Sequence, residues 1–185
     1  MEQLTKRQQQ AKILRAVRKI HRWMGATLFV LFLFISITGL LLGWKKDSKG
    51  YLLPNTQKGV SADASDWLLL SQLQDQAVYY LDSLNRDLDT TIDRMDVRPS
   101  KGVVKFTFKQ HYHELQLDLS NGELLSFGKR RSDLLEQIHD GSIIDRRLGW
   151  SFFKLLYTTI SGLALFLFTV TGFWLWYGPK RMRQQ

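Results

Sequence analysis

Two stretches of this chain carry no charged side chain at all: residues 24–44, over 21 positions, and residues 155–178, over 24. As helices rising ~1.5 Å per residue they would reach about 31 and 36 Å. A bilayer's hydrocarbon core is ~30 Å thick. A chain with two such runs is therefore expected to cross a membrane twice. Everything else in it must be arranged outside those spans.

The charge follows the same plan. The formal net charge is +9. Residues 1–23 hold seven Lys/Arg against one Glu, and residues 179–185 hold Lys180, Arg181 and Arg183. Residues 45–154 hold sixteen basic and sixteen acidic side chains and are neutral. A basic excess confined to the flanks of apolar spans points to a membrane surface and not to nucleic acid. Basic density is highest at the two ends, so the positive-inside rule puts both termini in the cytoplasm and the middle segment outside it. The first run exceeds the length of a signal-peptide core and leaves through Leu42-Gly43-Trp44-Lys45, without an Ala-x-Ala-like site, so it is expected to be retained. Five of six tryptophans (Trp23, Trp44, Trp150, Trp174 and Trp176) sit at or near span ends, as an interfacial aromatic belt does. The chain has no cysteine, which excludes disulfides, thiol catalysis and iron–sulfur clusters.

The fold class that follows is a membrane α-helical hairpin with a small α+β extracytoplasmic domain inserted between its two transmembrane helices. Its parts are a basic amphipathic segment (1–23), the first span (24–44), a linker (45–62), the inserted domain (63–141), a connector (142–154), the second span (155–178) and a basic tail (179–185). In the first segment Leu14, Val17, Ile20 or His21, and Met24 share a face opposite Lys12, Arg15, Lys19 and Arg22. In the inserted domain Ser65 can cap a helix carrying Trp67, Leu70, Leu73, Ala77 and Leu81. Residues 92–97 read as a weak strand. Val104, Phe106 and Phe108 alternate with Lys105, Thr107 and Lys109, and Leu115, Leu117 and Leu119 alternate with Glu114, Gln116 and Asp118, which predicts two strands with one apolar face each. Asn121-Gly122 predicts a hairpin turn into a further strand, residues 123–127. Ser132 can cap a short helix ending at His139-Asp140-Gly141.

Small residues recur inside both spans. Ser36, Gly39 and Gly43 share a face of the first, and Thr158, Gly162, Thr169 and Gly172 form a comparable stripe in the second. Ser36-Ile37-Thr38-Gly39 is echoed by Thr169-Val170-Thr171-Gly172. Close helix packing accounts for such residues, and so does room for a flat ligand.

Nucleotide-binding glycine loops, Gly-x-Ser-x-Gly and His-Glu-x-x-His are absent from the sequence. The chemistry rests on four histidines. His111 and His113 stand two apart near a strand start, as an exposed hairpin pair or a surface metal site would. His21 stands at the inner mouth of the first span, and His139 on the outer side before the second. Separated by roughly the ~30 Å core, they cannot ligate one iron together. Each suits an interfacial capping role, and each also suits haem ligation. One chain then offers one histidine at each depth, and a two-fold dimer would bring a second. Arg22 near one site and Arg146 or Arg147 near the other can pair with haem propionates.

Lys19-Ile20-His21-Arg22-Trp23-Met24-Gly25, followed by a span with Ser-x-Thr-Gly, resembles the leading helix of the PepSY-associated transmembrane proteins. Residues 115–124, Leu-Gln-Leu-Asp-Leu-Ser-Asn-Gly-Glu-Leu, resemble part of a PepSY domain. Ile138-His139-Asp140-Gly141 and the span ending Thr171-Gly172-Phe173-Trp174-Leu175-Trp176-Tyr177-Gly178-Pro179-Lys180 resemble the family's second half. The resemblance covers about residues 15–182. It implies a bacterial inner-membrane protein with a periplasmic PepSY domain. Larger members resemble ferric-siderophore reductases with four or more spans and haem b held by histidines near the membrane surfaces. Carried over by position, His21 and His139 match those histidines. With two spans in place of four, haem binding implies a homodimer or a membrane partner. The expected function is membrane electron transfer, an oxidoreductase role acting on ferric-chelate iron. The alternative is an accessory protein whose PepSY domain binds a periplasmic partner, protease or transporter component, since PepSY domains also occur in protease propeptides.

Overall fold

The computed structural model describes residues 6–183, so the ends of the expected basic segment 1–23 and tail 179–185 lie outside the described residues. The described elements run α1 (Lys6–Gly43), α2 (Leu70–Leu84), β1 (Ile92–Arg98), β2 (Val103–Phe108), β3 (His113–Asp118), β4 (Leu124–Lys129), α3 (Arg131–His139), α4 (Ser142–Leu148) and α5 (Phe153–Arg183). They form two compact units. One comprises Met1–Gly39 with Gln137–Gln185, and the other Leu40–Glu136.

In the first unit, α1 and α5 are the two apolar helices. A lipid-facing backbone must satisfy its polar groups internally, and a continuous helix does so. The hydroxyls inside the spans follow the same rule. Ser36 donates to the Phe32 carbonyl at 2.7 Å, Thr158 to Lys154 at 2.8 Å and Thr169 to Leu165 at 2.9 Å. In the most apolar window of α1 only 6% of residues are buried, and in that of α5 none. Phe29, Val30, Leu163 and Phe166 all stand open. A soluble protein would not expose apolar surface on this scale. These are helices for a bilayer, not core helices of a soluble domain. The expected amphipathic segment and first span are one uninterrupted helix.

The second unit is built on a four-stranded antiparallel sheet in the order β1-β2-β3-β4. Phe106 stands opposite Leu115 and Val104 opposite Leu117, so the apolar residues of both central strands share one face. Leu73, Ala77 and Leu81 of α2 cover that face, and all three are fully buried. The helix starts at Leu70, later than a Ser65 cap would set it. Residues 64–66 form a separate turn of 3-10 helix, closed by the Asp63 carboxylate accepting from the Ser65 N–H at 3.0 Å.

The sheet's other face is polar and equally buried. Lys105, Thr107, Glu114, Gln116 and Asp118 are all under 9% exposed. Their cover is part of residues 45–62, the segment expected as a linker, which crosses them as an extended strap. The Gln116 amide donates to the Asn55 carbonyl at 2.9 Å and accepts from the Gln57 N–H at 2.9 Å. Asp118 accepts from the Val60 N–H at 2.6 Å, and the Gly59 N–H donates to the Lys101 carbonyl at 2.8 Å. A Cβ on Gly59 would collide with the Gly102 carbonyl oxygen, so only glycine lets the strap pass there. Gly102 itself holds φ +63°, a left-handed turn between β1 and β2.

Candidate functional site

His21 lies on α1 and its ring is half-buried. Its Nδ1 is 2.8 Å from the Thr171 hydroxyl of α5. That hydroxyl has one proton and lies within donating distance of its own helix, 2.7 Å from the Leu167 carbonyl and 3.1 Å from that of Phe168. While it donates there, Thr171 accepts from the imidazole. This arrangement favours the neutral ring with its proton on Nδ1 and its lone pair on Nε2. Phe168 stacks on the ring with centroids 4.0 Å apart and 24° between planes. Gly172 clears the way for it, since a Cβ there would stand 3.4 Å from the His21 Cε1. Gly25 does the same for Phe168, at 3.3 Å.

His139 closes α3 and is seated in the same way on α1. Its Nδ1 is 2.8 Å from the Thr38 hydroxyl, which donates to the Phe34 carbonyl at 2.8 Å or to Ile35 at 3.1 Å. A Cβ on Gly39 would stand 3.3 Å from the His139 Cε1. Here too the arrangement favours the proton on Nδ1 and the lone pair on Nε2.

The loop after His139 is fixed from both sides. Asp140 pairs with Lys154 at 2.6 Å and accepts from the Ser142 N–H at 2.9 Å. Burial pushes the Asp140 carboxyl up, but the Lys154 and Ser142 hydrogen bonds outweigh it and hold the group below the usual carboxylate range. Gly141 holds φ +78° with the Tyr157 ring against it, 3.0 Å from where a Cβ would be. The Asp145 carboxylate accepts from the Phe153 and Lys154 N–H groups at 3.0 and 2.8 Å, capping α5. A groove of about 230 Å³ opens beside His139, lined in part by Phe32, Ile35, Tyr157 and Ser161.

The two seats are one construction used twice. Each histidine rests on a Thr-Gly pair of a transmembrane helix: His21 on Thr171-Gly172 of α5, and His139, at the end of α3, on Thr38-Gly39 of α1. Seventeen residues of α1 separate His21 from Thr38, about 26 Å along the axis at ~1.5 Å per residue. The histidines thus stand near opposite ends of the spans. The sequence shows the echo, but not that it receives an imidazole. The signal is a histidine ahead of each span and a Thr-Gly at matching depth on the other. At Gly43 and Gly162 an added Cβ would meet nothing within 4 Å among the described residues, so neither glycine forms a close helix contact there.

His111 and His113 are different. The His111 Nε2 donates to the Asp89 carbonyl at 3.0 Å, and its Nδ1 accepts from the His113 N–H at 3.2 Å. Both nitrogens of His111 are occupied, which leaves no lone pair for a metal. His113 stacks on Phe127 with centroids 5.1 Å apart. Burial, then the nearby His111 and Lys129 charges, push its pKa down. No group of three or more His, Cys, Asp or Glu able to hold a metal occurs among the described residues. Arg22 is exposed on α1 directly after His21, and Arg146 and Arg147 lie in the last turn of α4, close to the exposed end of that helix.

Two membrane helices flanking an antiparallel α+β unit, with a histidine seated at each end of the helix pair, define a two-span membrane protein with an inserted extramembrane domain. A family model described as the PepSY-associated TM region matches residues 18–185, and the chain belongs to that family. Comparison with curated proteins and with solved structures returns no significant match.

Proposed function

We propose that this protein carries electrons across a bacterial inner membrane, with His21 and His139 as the residues that would hold haem b near the two surfaces. The observation that carries the reading is the repeated seat. Both imidazoles set Nδ1 2.8 Å from a threonine hydroxyl, which favours Nδ1–H and leaves Nε2 with the lone pair an iron ligand requires. Without cysteine the chain cannot hold haem by thioether bonds, so a haem here would be non-covalently held, as haem b is. Bound haem supplies reversible one-electron chemistry. The protein's own part is to fix ring orientation through Thr38 and Thr171 and to shelter the imidazoles against the spans. Arg22 on one side and Arg146 or Arg147 on the other offer cations for propionates.

Each depth has one histidine, so a haem held by two histidines would need a second copy or a membrane partner. Basic density at the termini favours cytoplasmic ends and a periplasmic α+β domain. Electrons would then leave on the His139 side toward a periplasmic acceptor such as ferric-siderophore iron. The test is a visible spectrum of the full chain, purified in mild detergent from haem-replete cells, before and after dithionite. A Soret band with sharp reduced α-bands is expected, diminished in His21→Ala and in His139→Ala. A colourless protein overturns the proposal.

A further inference from the structure

The polar side of the α+β unit contains a cavity of about 430 Å³, within the ~300–1,000 Å³ range of small-molecule sites. Five cations line it, Lys46, Arg98, Lys101, Lys105 and Arg130, and one carboxylate, Asp96. Their partners are unevenly distributed. Asp96 pairs with Arg98 at 2.6 Å. Glu114 lies behind the wall and serves both Lys105, at 3.2 Å, and Arg130, which also pairs with Asp133 at 2.7 Å. Lys46 and Lys101 have no carboxylate within salt-bridge distance among the described residues. Lys101 reaches only the Thr56 carbonyl, at 3.3 Å.

The floor is the telling part. Lys105 is 4% exposed, and its ammonium has three N–H donors. Glu114 takes one of them. A buried ammonium with spare donors is costly unless something accepts them. Lys105 itself lines the cavity, whose other cations already outnumber its carboxylates.

We infer that this cavity is a binding site for a small soluble molecule carrying two or more anionic oxygen groups, carboxylate or phosphate. Lys46 and Lys101 meet the excess charge, and Lys105 donates from the floor. Arg98 offers a planar fork suited to a carboxylate or phosphate. A lipid headgroup presents the same oxygens, but it arrives with acyl chains, and the lining has only Leu53 and Pro54 to receive them. The site uses neither His21 nor His139 and stands whether or not those residues ligate haem.

The test is titration calorimetry on the full chain in non-ionic detergent at low salt. The probes are citrate, pyrophosphate, acetate and vesicles containing phosphatidylglycerol. Citrate or pyrophosphate is expected to bind, with affinity falling as salt rises. Lys101→Glu and Lys46→Glu should each weaken that binding at least about tenfold while leaving the unfolding midpoint near that of the parent. Absence of binding by both soluble polyanions overturns the inference. So does equal binding of acetate, binding of vesicles alone, or affinity unchanged in both variants.

Discussion

The tautomer assignment can be tested without any haem. In each seat the threonine hydroxyl is committed to a helix carbonyl, at 2.8 Å for Thr38 and 2.7 Å for Thr171. If the imidazole carried its proton on Nε2, the Nδ1 lone pair would face oxygen lone pairs across 2.8 Å. The threonine could answer only by turning its proton away from the backbone, which forfeits a hydrogen bond worth about 0.5–1.5 kcal/mol. Otherwise the site keeps an unsatisfied polar pair at about 1–3 kcal/mol. The cheaper of the two sets the population, roughly a 2- to 13-fold bias toward Nδ1–H at RT ≈ 0.59 kcal/mol. Long-range proton–nitrogen correlation of histidine-labelled protein in detergent, above the histidine titration range, reads the tautomer directly. Both His21 and His139 are expected as Nδ1–H. Thr38→Val should release that bias at His139 alone, and Thr171→Val at His21 alone, while the serine variants preserve it. A dominant Nε2–H form in the parent protein would refute the geometry and remove the main support for ligation.

Other outcomes follow from the same structure. Gly39→Leu should abolish the Thr38–His139 hydrogen bond, because even a Cβ would stand 3.3 Å from Cε1, and the His139 nitrogen signals report it. Glu114→Gln leaves Lys105 and Arg130 short of a buried counter-charge and should destabilise the α+β unit by about 3–5 kcal/mol, read by denaturant unfolding. Burial raises the Asp118 pKa, but hydrogen bonds from Ser120 and from the Val60, Ser120 and Asn121 N–H groups outweigh it, so the folded value lies below the unfolded ~3.9. The stabilisation is therefore full above about pH 4 and is lost as pH falls through the folded value. Val60 amide exchange should lose protection in that window in the parent, and Asp118→Asn should flatten the dependence. If His21 and His139 each pair with their mates in a two-fold dimer, haem should load at one per chain with a low-spin spectrum. Single-ligand sites would load up to two per chain with a high-spin one.

The spans, the sheet and its apolar face are legible in the sequence because each rests on a local pattern. Val104, Phe106 and Phe108 alternate visibly, and so do Leu115, Leu117 and Leu119, and residues 24–44 need only be counted. The strap is not legible. Residues 53–61 have no periodicity, and what orders them is Gln116 and Asp118, some sixty positions away, whose polar alternation reads as a solvated face. Lys105 and Glu114 mislead for the same reason, since charged residues alternating along a strand point to water until something covers them. The short helix α4 is missed too. Its start depends on Gly141 at φ +78° and its end on Gly149 at φ +67°, not on a side-chain cap.

The histidine seats show why the chemistry is harder to read than the architecture. Each half of the chain holds a histidine ahead of a span and a Thr-Gly pair within it, yet neither half completes a seat from its own residues. His21 needs Thr171, 150 positions on, and His139 needs Thr38, 101 positions back. Antiparallel pairing of α1 and α5 is what exchanges the parts and puts one seat toward each end. Each hydrogen bond therefore serves two purposes, favouring one open imidazole nitrogen and fastening helices together, α1 to α5 at His21 and the end of α3 to α1 at His139. A histidine-to-alanine variant removes both at once, so loss of colour in it cannot by itself separate ligation from helix pairing. Thr38→Val and Thr171→Val separate them. Each keeps the ring and its Nε2 while removing the acceptor that holds the proton on Nδ1. For metal sites such supporting residues are typically worth about 10- to 100-fold in affinity. Weakened haem retention in these variants, with the imidazoles still present, would place the effect on the ligand's tautomer and orientation and not on its absence.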